Sequence, residues 1–166
     1  HVEAGDTVLE IGPGLGTLTA RLLKKGAMVV AVEFDRDLAA SLHTALTKQL
    51  GADATSNLSV IESDILTFDF TQLPTGYKVV ANIPYYLTSH LIRILGESSN
   101  SPSTAVLLIQ KEVAERVCAK PGDMSLLSVS AQVFFEATLD ILVPSRLFTP
   151  PPKVDSQLLL IKKREI

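Results

Sequence analysis

The chain has 166 residues, 46% of them hydrophobic, which is enough for one buried core and too apolar for a disordered segment. Its net charge of −3 argues against a general nucleic-acid coat. Its single cysteine, Cys118, excludes an intrachain disulfide and fits a reducing compartment, and no apolar run approaches the roughly 20 residues of a membrane-spanning helix.

Short apolar runs alternate with helical periodicity along the whole chain. Thr7–Ile11 reads as a strand and residues 15–25 as a helix. Met28–Glu33 is a second strand and Arg36–Leu50 a helix, with Leu38, Leu42, Ala45 and Leu46 on its inward face. Leu58–Glu62 and Lys78–Asn82 are a third and a fourth strand. Residues 88–96 form a helix capped by Thr88, with Leu91, Ile92 and Leu95 turned inward. Residues 98–103 are a polar surface loop. A fifth strand at 105–109 and helices at 111–119 and 125–135 follow. Residues 137–143 and 156–162 are two closing strands that pair antiparallel around the turn-rich stretch 144–152. Repeated strand–helix units predict an α/β fold, a doubly wound and mostly parallel sheet with ligands at the carboxyl ends of its strands.

Three of those strand ends carry chemistry. The first runs into Glu10-Ile11-Gly12-Pro13-Gly14-Leu15-Gly16. Its Gly-x-Gly-x-Gly spacing differs from that of dinucleotide binders and gives a close-fitting wall rather than a pyrophosphate cradle. Glu10 adds a negative charge that favours a sulfonium or ammonium group. Glu33 ends the second strand, where a carboxylate can accept from both hydroxyls of a ribose, with Phe34 next to it. Asp64 follows the third strand; it either caps a turn or accepts from an adenine amine, with Ile65 packing on the ring. A Gly-rich loop, a Glu and an Asp at successive strand ends specify a nucleoside cofactor without phosphates, which points to S-adenosylmethionine.

The fourth strand ends in Asn82-Ile83-Pro84-Tyr85. The segment is either a strand-ending turn punctuated by Pro84 or a base site, since a side-chain amide, a stiffened backbone and an aromatic ring suit a flat base that carries an exocyclic amine. The Asn82 oxygen and the Ile83 or Pro84 carbonyl accept the amine hydrogens while Tyr85 stacks on the base. Phe148, in the proline-rich stretch, either anchors that turn in the core or clamps the base opposite Tyr85. Lys153 meets an RNA phosphate or pairs with Asp155. His1, His43, His90 and Cys118 show no metal-ligand spacing.

With these segments, and with Gln110-Lys111-Glu112-Val113-Ala114-Glu115-Arg116 and Phe148-Thr149-Pro150-Pro151-Pro152-Lys153-Val154-Asp155-Ser156, the chain resembles the small-subunit ribosomal RNA adenine dimethyltransferases over nearly its whole length. The resemblance implies a class I, Rossmann-like methyltransferase domain over residues 1–162, with a seven-stranded, mostly parallel sheet and an antiparallel closing strand. Residues 163–166 would begin a linker to a helical C-terminal domain. It implies that Glu10, Gly12, Gly14, Gly16, Glu33, Phe34, Asp64, Ile65 and Asn82 line the S-adenosylmethionine site, and that Asn82, Pro84, Tyr85 and Phe148 serve catalysis and hold the adenine. The expected product is N6,N6-dimethyladenosine in small-subunit ribosomal RNA. The expected partner is the immature small ribosomal subunit, met by a monomer in the cytoplasm, or in an organelle if a transit peptide was removed, without metal or membrane. Two rival functions stand beside it: large-subunit methylation of the macrolide-resistance type, and a non-catalytic role in ribosome assembly. The segment Asp123-Met124-Ser125-Leu126 departs from the family's Lys and Tyr-Gly pattern.

Overall fold

In the computed structural model, which describes residues 1–165, the run Thr7–Ile11 forms strand β1. Val8, Leu9, Glu10 and Ile11 are all buried, as a strand covered on both faces requires. Gly16 then adopts a left-handed φ of 85°, which cannot continue as helix, and α1 spans Thr17–Lys24. The helix predicted from residue 15 therefore begins two residues later, and Leu15 stays in the loop. Strand β2 is Met28–Glu33 and helix α2 Arg36–Leu50, with the Asp35 carboxylate accepting from the Asp37 and Leu38 N–H groups. The buried face of α2 is Ala39, Leu42 and Leu46. Ala45, expected inward, is exposed, because the helix is rotated toward Ala39. A four-residue helix, α3 at Ala52–Thr55, was not anticipated. Strands β3, Leu58–Glu62, and β4, Lys78–Asn82, follow.

The first of two units, His1–Ala81, centres on β1, which pairs in parallel with β2 and β4, while β2 pairs in parallel with β3. Its core joins Val8, Val29, Ala31 and Leu58 to Leu22 and Leu23 of α1 and Leu42 and Leu46 of α2.

The second unit starts at Asn82. A 3₁₀ turn at Tyr85–Leu87 leads into α4, Thr88–Glu97. Thr88 was expected to cap this helix. It is instead the first helical residue, with a buried hydroxyl that has no hydrogen-bond partner among the described residues. The loop after α4 is not the surface loop predicted. Ser101 and Pro102 are buried, and Ser101 Oγ donates to the Leu95 carbonyl at 2.7 Å, which satisfies an orphan group of the helix end. Strand β5, Thr104–Gln110, precedes α5, Lys111–Val117, and α6, Leu126–Phe134, the latter started by a reciprocal Ser125–Ser128 capping box. Strands β6, Phe135–Val143, and β7, Ser156–Lys163, pair antiparallel as predicted, and β7 also pairs antiparallel with β5.

The strand order is β3-β2-β1-β4-β5-β7-β6, so the sheet has seven strands, with β7 the antiparallel insertion and β6 outermost. Strand β7 reaches Lys163, and the Arg164 N–H donates to the Phe134 carbonyl at 2.9 Å. Of the segment 163–166 expected to begin a linker, Ile166 lies outside the described residues.

Candidate active site

The glycine loop between β1 and α1 is open on one side and packed on the other. Gly12 and Gly14 have φ of 65° and 57°, and a Cβ on either would meet nothing within 4 Å. A Cβ on Gly16 would lie 2.7 Å from Leu42 Cδ1. Gly12 and Gly14 thus leave a cradle for a ligand, while Gly16 has a packing reason of its own, the close approach of α1 to α2. Glu33 is tied to this loop. One of its carboxylate oxygens accepts from the Gly14 N–H and the other from the Asp35 N–H, each at 3.0 Å. Both bonds hold the carboxylate still, and each oxygen keeps a lone pair for a further donor. That pair of acceptors fits the two hydroxyls of a ribose, each donating to one oxygen.

Glu10, at the end of β1, is buried, and among the described residues its carboxylate has one hydrogen-bond partner, the Thr19 hydroxyl, which donates at 2.6 Å. Burial pushes its carboxyl up to about 7, against the lowering effect of Thr19. A buried acid with one hydrogen bond and no cation among the described residues is suited to receive a positively charged ligand group, which would return it to the ionised form. Phe34 is exposed, a bare ring beside Glu33. Asp64 Oδ1 accepts from the Leu66 N–H at 2.9 Å, which is the cap of a short 3₁₀ turn at Ile65–Thr67. Ile65 is buried, which leaves little of its side chain to face a ring.

The second unit carries the other predicted residues. Asn82 is exposed where β4 ends, and its side chain makes no hydrogen bond among the described residues. Ile83 is buried, and its N–H donates to the Leu108 carbonyl at 3.1 Å, which anchors the backbone one residue beyond Asn82. Pro84, with φ −57° and ψ 141°, turns the chain into the 3₁₀ turn that exposes Tyr85. The Pro84 carbonyl accepts from the Leu87 N–H at 3.0 Å, so the unpartnered Asn82 oxygen ranks ahead of it as an acceptor. Phe148 is half-buried at the end of the turn Ser145–Leu147, which Asp155 holds by accepting from the Ser145 N–H at 2.8 Å. No ring contact joins Phe148 to Tyr85 among the described residues. Asp155 is thus spent on the turn, and exposed Lys153 makes no ion pair with it among the described residues.

Two residues escaped the sequence reading. Thr19, on the buried face of α1, is the partner of Glu10; a hydroxyl at an inward helix position was the signal. Tyr86 stands exposed beside Tyr85, and its neighbouring position in the motif was the signal. Cys118 is half-buried on the first residue past α5, and burial pushes its thiol up, as for a small apolar side chain.

A family model described as ribosomal RNA adenine dimethylase matches residues 1–165. A ribosomal RNA small subunit methyltransferase A from Dehalococcoides mccartyi is 42% identical over 159 residues, covering 94% of this chain and 53% of its own length. A solved dimethyladenosine transferase from Plasmodium falciparum has a TM-score of 0.83 and 32% identity, covering 98% of this chain and 57% of that one. The 23S rRNA methyltransferase ErmE has a TM-score of 0.82 and 32% identity, covering 99% of this chain and 64% of that one. The chain spans about half the length of the relatives it matches.

Proposed function

The chain belongs to the ribosomal RNA adenine dimethylase family, and from that premise we propose that it methylates the exocyclic amine of adenosines in small-subunit ribosomal RNA, giving N6,N6-dimethyladenosine. The observation that carries the reading is Asn82, whose side-chain amide has no hydrogen-bond partner among the described residues and stands at the end of an inner strand, with its backbone anchored by Ile83 and an exposed aromatic three residues on.

S-adenosylmethionine, when bound, supplies an electrophilic methyl group on a positively charged sulfur. Glu33 would accept from the ribose hydroxyls of that cofactor, the open side of Gly12 and Gly14 would take its bulk, and Glu10 would meet its positive charge. Phe34 and Asp64 contribute a ring face and an acceptor to the same set.

Asn82 Oδ1 accepts a hydrogen from the adenine amine. This favours a more tetrahedral nitrogen, whose lone pair is then withdrawn less into the ring. The Ile83 or Pro84 carbonyl takes the second hydrogen, and Tyr85 stacks on the base, with Phe148 as its counterpart. Stacking of this kind contributes about 1–3 kcal/mol per base. Taking the methyl would leave the nitrogen cationic and strongly acidic and the sulfur a neutral thioether, so the nitrogen's proton leaves to water without a dedicated base. Positioning and electrostatics supply most of the acceleration. The half-buried Cys118, the only cysteine, supports a reducing compartment such as the cytoplasm.

One specific observation favours a second reading. ErmE, a 23S rRNA methyltransferase by its description, is as similar in fold and identity as the dimethyladenosine transferase. The test offers labelled S-adenosylmethionine and undermethylated small or large ribosomal subunits, with mass spectrometry of the digested RNA. Dimethyladenosine in small-subunit RNA, lost in Asn82→Ala, is expected. Product in large-subunit RNA alone selects the second reading, and subunit binding without product selects an assembly role.

A further inference from the structure

Tyr85 and Tyr86 occupy successive positions of a 3₁₀ turn, where three residues complete a revolution and neighbouring side chains diverge by about 120°. Both are well exposed, at 66% and 69%. Their ring centroids lie 5.8 Å apart with the planes at 87°. Such an edge-to-face pair covers one face of one ring with the edge of the other and leaves each ring a face toward solvent. Neither hydroxyl has a hydrogen bond among the described residues, so polar contacts do not explain where Tyr86 stands. Stacking on the target adenine employs Tyr85 and leaves Tyr86 without a task.

The angle between the rings restricts what they can hold. In a stacked single strand, neighbouring bases are parallel. Two rings at 87° cannot both lie flat on two parallel bases. They can both be occupied only when adjacent bases are turned steeply against one another. Enzymes that act on a base produce that geometry when they take the target out of the stack.

We infer that Tyr86 is a second base-stacking position, which holds the nucleotide adjacent to the target adenosine while Tyr85 holds the target. The inference rests on the proposed function and adds a subsite to it. Tyr86 would stabilise the extruded strand by giving the flanking base a new stacking partner in place of the one it lost. It would act on RNA binding and on the choice of single-stranded over stacked substrate, not on the methyl transfer itself.

The test couples the side chain to the base. Labelled single-stranded RNA pentamers with a central adenosine are titrated with the chain. One pentamer is intact, one lacks the base 5′ of the adenosine, one lacks the base 3′ of it, and one lacks the central adenine. Tyr86→Ala is expected to weaken the intact strand about 5- to 150-fold, the equivalent of one stacked base. It should change affinity less than about twofold on one of the two flank-abasic strands, since that contact is already gone, while Tyr86→Phe binds like the wild type. Tyr85→Ala should lose its effect on the strand without the central adenine instead. If Tyr86→Ala loses its effect only on the strand without the central adenine, Tyr86 merely braces Tyr85, and if it weakens all four strands equally it stacks on none of these bases; in either case the inference falls while the proposed function stands. If it weakens none, the subsite does not exist. If the wild type binds no pentamer and yields no methylated RNA from ribosomal subunits, the functional reading itself falls, and the subsite with it.

Discussion

Asn82 and Glu10 divide the chemistry at the scale of single residues. In the proposed mechanism Asn82 acts through the adenine amine and only lines the wall of the cofactor site, so Asn82→Ala should lower turnover by about 100- to 1,000-fold, the usual effect of removing one transition-state hydrogen bond. S-adenosylmethionine affinity, read by calorimetry, should stay within about threefold; loss of both together would contradict the role assigned. Glu10 reports through pH. Its carboxyl titrates near 4.5 when unfolded and about 7 when folded, so between those values the folded chain holds the extra proton. Stability from this group is therefore greatest at low pH and is lost as pH rises toward 7, by on the order of 3 kcal/mol. Glu10→Gln keeps a partner for Thr19 and removes the titration. Urea denaturation at pH 5 and pH 8 should show a smaller drop for the variant than for the wild type, and equal drops would mean that Glu10 is ionised throughout. A cationic ligand group at Glu10 adds a second signal. Binding near pH 6.5 should release a proton in the wild type and none in Glu10→Gln.

Between elements, glycines decide how closely helices approach. Gly96 lies on the buried face of α4, and a Cβ there would sit 2.4 Å from Phe134 Cδ2 of α6. Two effects of Gly96→Ala oppose each other. Alanine is the better helix former by about 0.8–1 kcal/mol. Overpacking against an aromatic ring in a core costs about 1–3 kcal/mol. The clash should win, and equilibrium unfolding should find the variant less stable by up to about 2 kcal/mol. Adding Phe134→Leu should return part of the loss, whereas a stabilised single variant would show that the ring moves freely. Gly16 faces the same limit in the first unit. The shift of the α2 face toward Ala39, the buried Ser101 and the Thr88 hydroxyl left without a partner among the described residues belong to this scale too. Periodicity finds a helix but leaves its rotation open by about one residue, since three- and four-residue spacings alternate along any inward stripe. A serine in a polar run carries no mark of whether its hydroxyl will close a helix end.

Over the whole molecule, charge limits how nucleic acid can be held. The chain carries −3 overall, but residues 77–166 have ten Lys/Arg against eight Asp/Glu. RNA binding should therefore rest on a few local phosphate contacts rather than a general field. Replacing exposed Lys153 by Ala should flatten the salt dependence of RNA affinity by about 0.7 in log–log slope if it meets one phosphate. An unchanged slope would leave Lys153 outside the interface. The sequence alone determined the alternation of strands and helices, the antiparallel pairing at the end, the glycine loop, the acids at the strand ends and the Asn82–Tyr85 motif. These are local, because each depends on hydrophobic period, backbone restriction or residue type within a few positions. Only the tertiary structure decided that Gly16 serves packing while Gly12 and Gly14 stay open, that Glu33 is tied to the loop nineteen residues before it, that Thr19 is the partner of Glu10, and that two tyrosines stand at right angles in solvent. Those facts depend on burial and on atoms far apart in the chain, and a residue's type does not state what the fold will bring beside it.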